Sequence, residues 1–181
     1  SGNFDKWIKW NSKAGRFYIK GADAGVEIEV SPTVFVVDLA KIKTGWLKFV
    51  TGLAPSRVWD VNISTPSPQP DKDHKRGFSL RLYSKETFGG IVELSSSSMH
   101  LCGVINDLHT AYTGQKDANP GKLAVVRFTG STTMKDAKGM NYKPNIVIEK
   151  FIDRPVEFTE EGKGGAQQTA AAAPAASASE F

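Results

Sequence analysis

Apolar and polar residues alternate along most of this chain, at the two-residue period of half-buried β-strands. Arg16-Phe17-Tyr18-Ile19-Lys20 sets Arg16, Tyr18 and Lys20 on one face and Phe17 and Ile19 on the other. Phe78, Leu80 and Leu82 oppose Arg81, Tyr83 and Lys85 in the same way. Val34–Val37 is a continuous β-branched and aromatic run, the pattern of a strand covered on both faces. Further strands are expected at 26–30, 46–51, 91–94, 123–129 and 145–152. One segment changes period: Leu101, Ile105, Leu108 and Tyr112 recur at helical spacing, with Ser97 or Ser98 as N-cap and Gly114 at the end. Residues 64–73, with Pro66, Pro68 and Pro70, read as a surface loop, and 130–144 as a polar connection between the last two strands.

The order is several strands, one helix, then two strands. This predicts a mainly β protein, an elaborated OB-like antiparallel barrel with one helix between the early and late strands. OB barrels bind oligonucleotides on the face of their second and third strands and on the adjoining loops. The other small antiparallel β architectures with one packed helix share this element order. Residues 1–158 are expected to form the domain. Residues 159–181 turn to Ala, Gly, Ser, Gln and Thr, a disordered tail by composition. Its closing Glu180-Phe181 suits either docking into a partner pocket or a linker remnant.

Charge sharpens the picture. The net formal charge is +4 over 181 residues, but through Pro155 there are 22 Lys and Arg against 15 Asp and Glu. A basic body with a mildly acidic end suits a polyanionic partner. The single cysteine, Cys102, excludes an internal disulfide and points to a reducing compartment. No apolar run has the length of a membrane span, and Ser1-Gly2-Asn3 does not open a signal peptide. The expectation is a soluble, intracellular protein with no membrane partner.

Motifs that carry chemistry are missing. There is no GxSxG, HExxH or GxGxxG, and Asn119-Pro120-Gly121-Lys122 lacks the other residues of a P-loop. His100, Cys102 and His109 supply no paired-cysteine zinc spacing, and Asp60, Asp71 and Asp73 are too scattered for a two-metal site. The expectation is no enzyme, no metal and no cofactor.

What remains is the basic and aromatic surface. A cation-aromatic-cation strand face can stack a base and meet phosphates, although an ordinary amphipathic strand has the same pattern. On this reading Arg16, Lys20, Lys48, Arg76, Arg81 and Lys85 contact phosphates. Tyr18, Trp46 and Tyr83 stack bases, and Trp10 is an outer platform. Lys72 and Lys75 extend the Arg76 line, and Lys135, Lys138 and Lys143 form an opposing edge. Such a groove accepts DNA or RNA. A crowded aromatic and basic surface equally suits protein contacts, which makes a structural or assembly protein the alternative.

Several segments, in order, resemble bacteriophage single-stranded DNA-binding proteins with an OB-type fold. They are Lys43-Thr44-Gly45-Trp46, Trp59-Asp60, the stretch from Lys75 to Ser84, Asn119-Pro120-Gly121-Lys122, Arg127-Phe128-Thr129-Gly130-Ser131 and Asp153-Arg154-Pro155. The resemblance spans roughly Trp10 to Pro155. It implies a protein that coats single strands during phage replication or recombination, in the host cytoplasm and without a cofactor. It also implies self-association on DNA and a protein partner for the tail. The Ala-rich, weakly acidic tail departs from the acidic tails of that family.

Overall fold

The computed structural model describes residues 6–158, apart from positions 24 and 138. The expected tail at 159–181 and Lys138 lie outside the described residues. The strands are β1 (Trp7–Asn11), β2 (Arg16–Lys20), β3 (Glu27–Val30), β4 (Thr33–Val37), β5 (Lys43–Lys48), β6 (Ser56–Trp59), β7 (Lys75–Ser84), β8 (Gly90–Ser96), β9 (Leu123–Asp136) and β10 (Gly139–Ile152). The helix α1 (Met99–Gln115) joins β8 to β9. The protein is thus mainly β, with one helix between the early and late strands, in an OB-like order.

Hydrogen bonding runs β10-β9-β4-β7-β8-β1-β2-β3, with β5 pairing both β6 and β7. All these pairs are antiparallel except β1 with β8. The path stays open at β10 and β3, so the expected barrel is not closed by strand pairing. Side chains and turns bridge the gap instead. Trp10 Nε1 donates to the Tyr142 carbonyl at 3.1 Å, and the Tyr142 amide donates to the Ser12 carbonyl at 2.9 Å. Gly15 in the β1–β2 turn has φ of 71°, and a Cβ there would meet Ser131 Oγ and the Tyr142 ring at 2.9 Å. Only glycine fits both the backbone and the space.

Two cores explain the patterning. The main one gathers Phe17, Phe35, Val37, Phe78, Leu80, Leu82, Val126 and Phe128 with Leu101, Ile105 and Leu108 of α1. The second lies on the other side of the same central strands: Val36, Tyr83, Ile91, Leu123, Val125 and Phe158. β4 and the start of β9 are buried on both faces, which is why their sequences read as unbroken apolar runs. α1 opens where expected, with Ser98 Oγ accepting from the Leu101 amide.

Two expected elements differ, and β1 and β6 are strands that the pattern did not predict. The polar connection at 130–144 is strand: β9 and β10 continue as a ribbon in antiparallel register out to Asp136 and Gly139. Its polar composition reflects exposure of most of the ribbon near its tip, not loop conformation. β6 was not expected, because Ser-Arg-Val-Trp is too short to show a period. The strand expected at 46–51 begins earlier and ends at Lys48, and Val50 and Leu53 lie in the following turn.

Candidate nucleic-acid interface

The expected binding residues divide among three places. Two of the aromatic platforms are in the interior. Trp10 is buried, edge-on to Phe17 with ring centroids 4.7 Å apart, so it is a core residue and not an outer platform. Tyr83 is 1 % exposed. It stacks on Phe158 at 5.6 Å, and its hydroxyl donates to Glu157 at 3.1 Å. Burial, reinforced by the Glu157 carboxylate, pushes this phenol up to about 12. Alternation places Tyr83 opposite Leu82, as the sequence implies, but the segment after β10 covers that face.

The second place is the outer face of β1, β2 and β3. Here Arg16, Tyr18 and Lys20 do share a face, opposite the fully buried Phe17. Neighbouring carboxylates share it too. Lys9 pairs with Glu27 at 2.6 Å and Arg16 with Glu29 at 3.0 Å, and Tyr18 sits in register between Lys9 and Glu29. Lys20 stands opposite Glu27. Across β7 and β8 the pattern repeats: Arg81 is registered against Glu93, which also pairs with Arg57 of β6 at 3.4 Å. β6 pairs with β5 and approaches it closely at Gly45, where a Cβ would collide with the Val58 carbonyl. The face on which an OB barrel binds its strand is therefore occupied in part by the chain's own side chains. Lys85 lies past the end of β7, in the turn to β8.

The third place is a cleft of about 940 Å³ between the start of β7, α1 and the tip of the β9–β10 ribbon. One wall is the start of β7 with β5: Lys75, Arg76, Phe78, Ile42 and Thr44. The opposite wall is α1, with Met99, His100, Cys102, Ile105, Asn106 and His109. The tip of the β9–β10 ribbon (Ala137, Asn141) and Ser12 close one end, and Ile63 rims it. No Asp or Glu is among the described side chains that line it. Lys13, whose amine donates to the Met140 carbonyl, adds a cation beside the ribbon tip, and Lys135 is exposed along the ribbon. Burial, helped by Lys116, lowers the His109 pKa, so an approaching anion would favour its charged form. Burial pushes the Cys102 thiol up, against the pull of Arg76.

Of the expected contacts, Arg76 and Lys75 line this cleft, and Trp46 lies behind Arg76. Trp46 and Arg76 are register partners on β5 and β7, and the Arg76 guanidinium lies over the Trp46 ring, 5.1 Å from its centroid. Lys48 shares their strand edge on β5. Arg76 also forms a two-pronged ion pair with Asp60, at 3.0 and 2.6 Å. Asp60 further accepts from Thr44 Oγ1 and from the amide and hydroxyl of Ser67. These bonds, Arg76 first, hold its carboxyl far below the ordinary carboxylate value of 3.8. Residues 64–73 are tied down as well: Trp46 Nε1 donates to the Ser67 carbonyl at 2.7 Å, and His74 bridges Asp71 and Ser56.

Thr44 and Asp60 fall in segments that carry the family resemblance, yet their sequence pattern says nothing of their joint role. Asn106, His109 and Asn141 have no local signature, because the cleft assembles from three distant parts of the chain. Among the described residues no group of His, Cys, Asp and Glu is placed to hold a metal ion, and no helix is long and apolar enough to cross a membrane. A comparison with protein-family models, with curated proteins and with solved structures finds no match.

Proposed function

We propose that this chain is a non-catalytic single-stranded DNA-binding protein, largely indifferent to base sequence, that holds the strand in the cleft between β5–β7, α1 and the β9–β10 ribbon. The observation that carries this reading is that no Asp or Glu is among the described side chains lining the cleft, set in a body with an excess of cations. Elsewhere on the surface Lys9, Arg16, Arg57 and Arg127 are each paired with a glutamate. A cleft with an apolar floor and a basic lip accepts bases inward and phosphates outward. Lys75, Lys48, Lys13 and Lys135 supply the phosphate contacts. On the sequence resemblance, the role is to coat exposed strands in phage replication or recombination.

The test is titration of the protein with an unstructured oligonucleotide at increasing salt. Three or four phosphate contacts on a single strand give a log–log salt slope of about −2 to −3, or several tens-fold weaker binding between 50 and 200 mM salt. No binding at low salt would end the reading.

A second reading rests on a different observation. Phe49, Val50 and Leu53 stand exposed at the turn between β5 and β6. Exposed apolar side chains at a hairpin tip suit a protein partner, and so an assembly role. A salt-resistant oligomer that does not shift an oligonucleotide would select it.

A further inference from the structure

Resting on the single-strand reading, we infer that Arg76 is a base-stacking platform held flat by Asp60, not a phosphate contact. A phosphate-binding arginine needs unspent charge and free N–H groups pointing outward. Arg76 has given both terminal nitrogens to Asp60, whose side chain is 1 % exposed. Asp60 cannot follow a ligand, because Thr44 and Ser67 fix it from three further directions. The pair is close to neutral as a unit, and it adds little to the attraction of a distant phosphate.

What Arg76 retains is its plane. The guanidinium lies over the Trp46 indole, which is itself pinned through Nε1 to the Ser67 carbonyl. The Arg76 side chain is still 42 % exposed and lines the cleft. A guanidinium plane is a recognised surface for an unstacked base, and an aromatic behind it stiffens the platform. A base entering the cleft would complete a layered stack of Trp46, Arg76 and base. The ion pair with Asp60 then orients the platform and also cancels its charge.

The readout is the ratio of affinities for oligodeoxythymidine and for an abasic strand of the same length, which separates bases from phosphates. The unaltered chain should prefer the strand with bases. Arg76→Lys keeps a cation for Asp60 and so keeps the fold, but it removes the plane. It should lower the ratio by about tenfold, within the range that loss of one base stack gives. The salt slope should not change. Asp60→Asn should also lower the ratio, since the platform is no longer held; a role confined to stability would move the melting temperature and leave the ratio alone. An Arg76→Lys ratio equal to that of the unaltered chain would overturn the inference. So would an Arg76→Gln variant whose salt slope falls by about 0.7, the signature of one lost phosphate contact. If the unaltered chain bound the two strands equally, base stacking at Arg76 would fall while phosphate binding stood. If it bound neither strand, the single-strand reading would fall with it.

Discussion

The outer sheet face and the cleft carry similar cations and differ in their company. On the outer sheet faces several cations meet glutamates of other strands: Lys9 with Glu27, Arg16 with Glu29, Arg57 with Glu93. At the cleft Arg76 is paired with Asp60, whose side chain is buried, and Lys75 has no carboxylate partner among the described contacts. A polyanion responds to the net local charge, so counting lysines and arginines on a strand is not enough. The paired Arg-x-Tyr-x-Lys stretches, which look alike in sequence, illustrate this. The first is exposed and neutralised, and the second has its tyrosine in a core.

The sharpest way to break this contrast is at Tyr83. If it is a core residue, Tyr83→Ala removes the stack on Phe158 and the bond to Glu157. By analogy with large-to-small aromatic substitutions, it costs about 3–5 kcal/mol. Urea unfolding checks the loss. The remaining folded protein should bind an oligonucleotide as before. Preserved stability with weakened binding would return Tyr83 to the binding surface.

Next in size is the acid behaviour of Asp60. Its folded pKa lies well below 3.8, so Arg76 and the other donors stabilise the ionised, folded form. That contribution is complete above the unfolded value and is lost as pH falls below it toward the folded value. Stability should therefore fall on acidification from about pH 4 downward. Asp60→Asn should flatten this part of the curve and lower stability at neutral pH. Thermal melts at a series of pH values test this. An unchanged acid limb would mean that the Arg76–Asp60 pair is not formed in solution, and the platform argued for Arg76 would lose its support.

How much of this was legible follows from the physics of each signal. Alternation gave the strand faces at 16–20 and 78–82, and helical spacing with Ser98 gave α1, because these depend on neighbours within a few residues. Alternation cannot say what covers a face. Trp10 and Tyr83 were misplaced because their covers, Tyr142 and Phe158, come from more than 70 residues away. The polar ribbon of β9 and β10 read as a loop because its residues are mostly polar and only Tyr142 packs on the main core there, so no period marks it. Arg76 was picked out as a cation at the right edge, but its partner Asp60 is 16 residues upstream, and only the fold turns that charge into a bound pair. The cleft itself had no signature, because its walls come from β5 and β7, α1 and the ribbon.

The smallest effects separate the two regions most directly. Lys75 and Arg16 are both exposed strand cations, and each can be changed to glutamine without creating a like-charge clash. Lys75→Gln should reduce the salt slope of oligonucleotide binding by about 0.7 and weaken binding several-fold at low salt. Arg16 has its charge spent on Glu29, so Arg16→Gln should change affinity by less than about twofold. It should cost under about 1 kcal/mol of stability, as an exposed ion pair does. The reverse ranking, with Arg16 governing the salt slope and Lys75 silent, would move the strand out of the cleft. It would then lie on the glutamate-laced face of β1, β2 and β3, with Tyr18 as its platform.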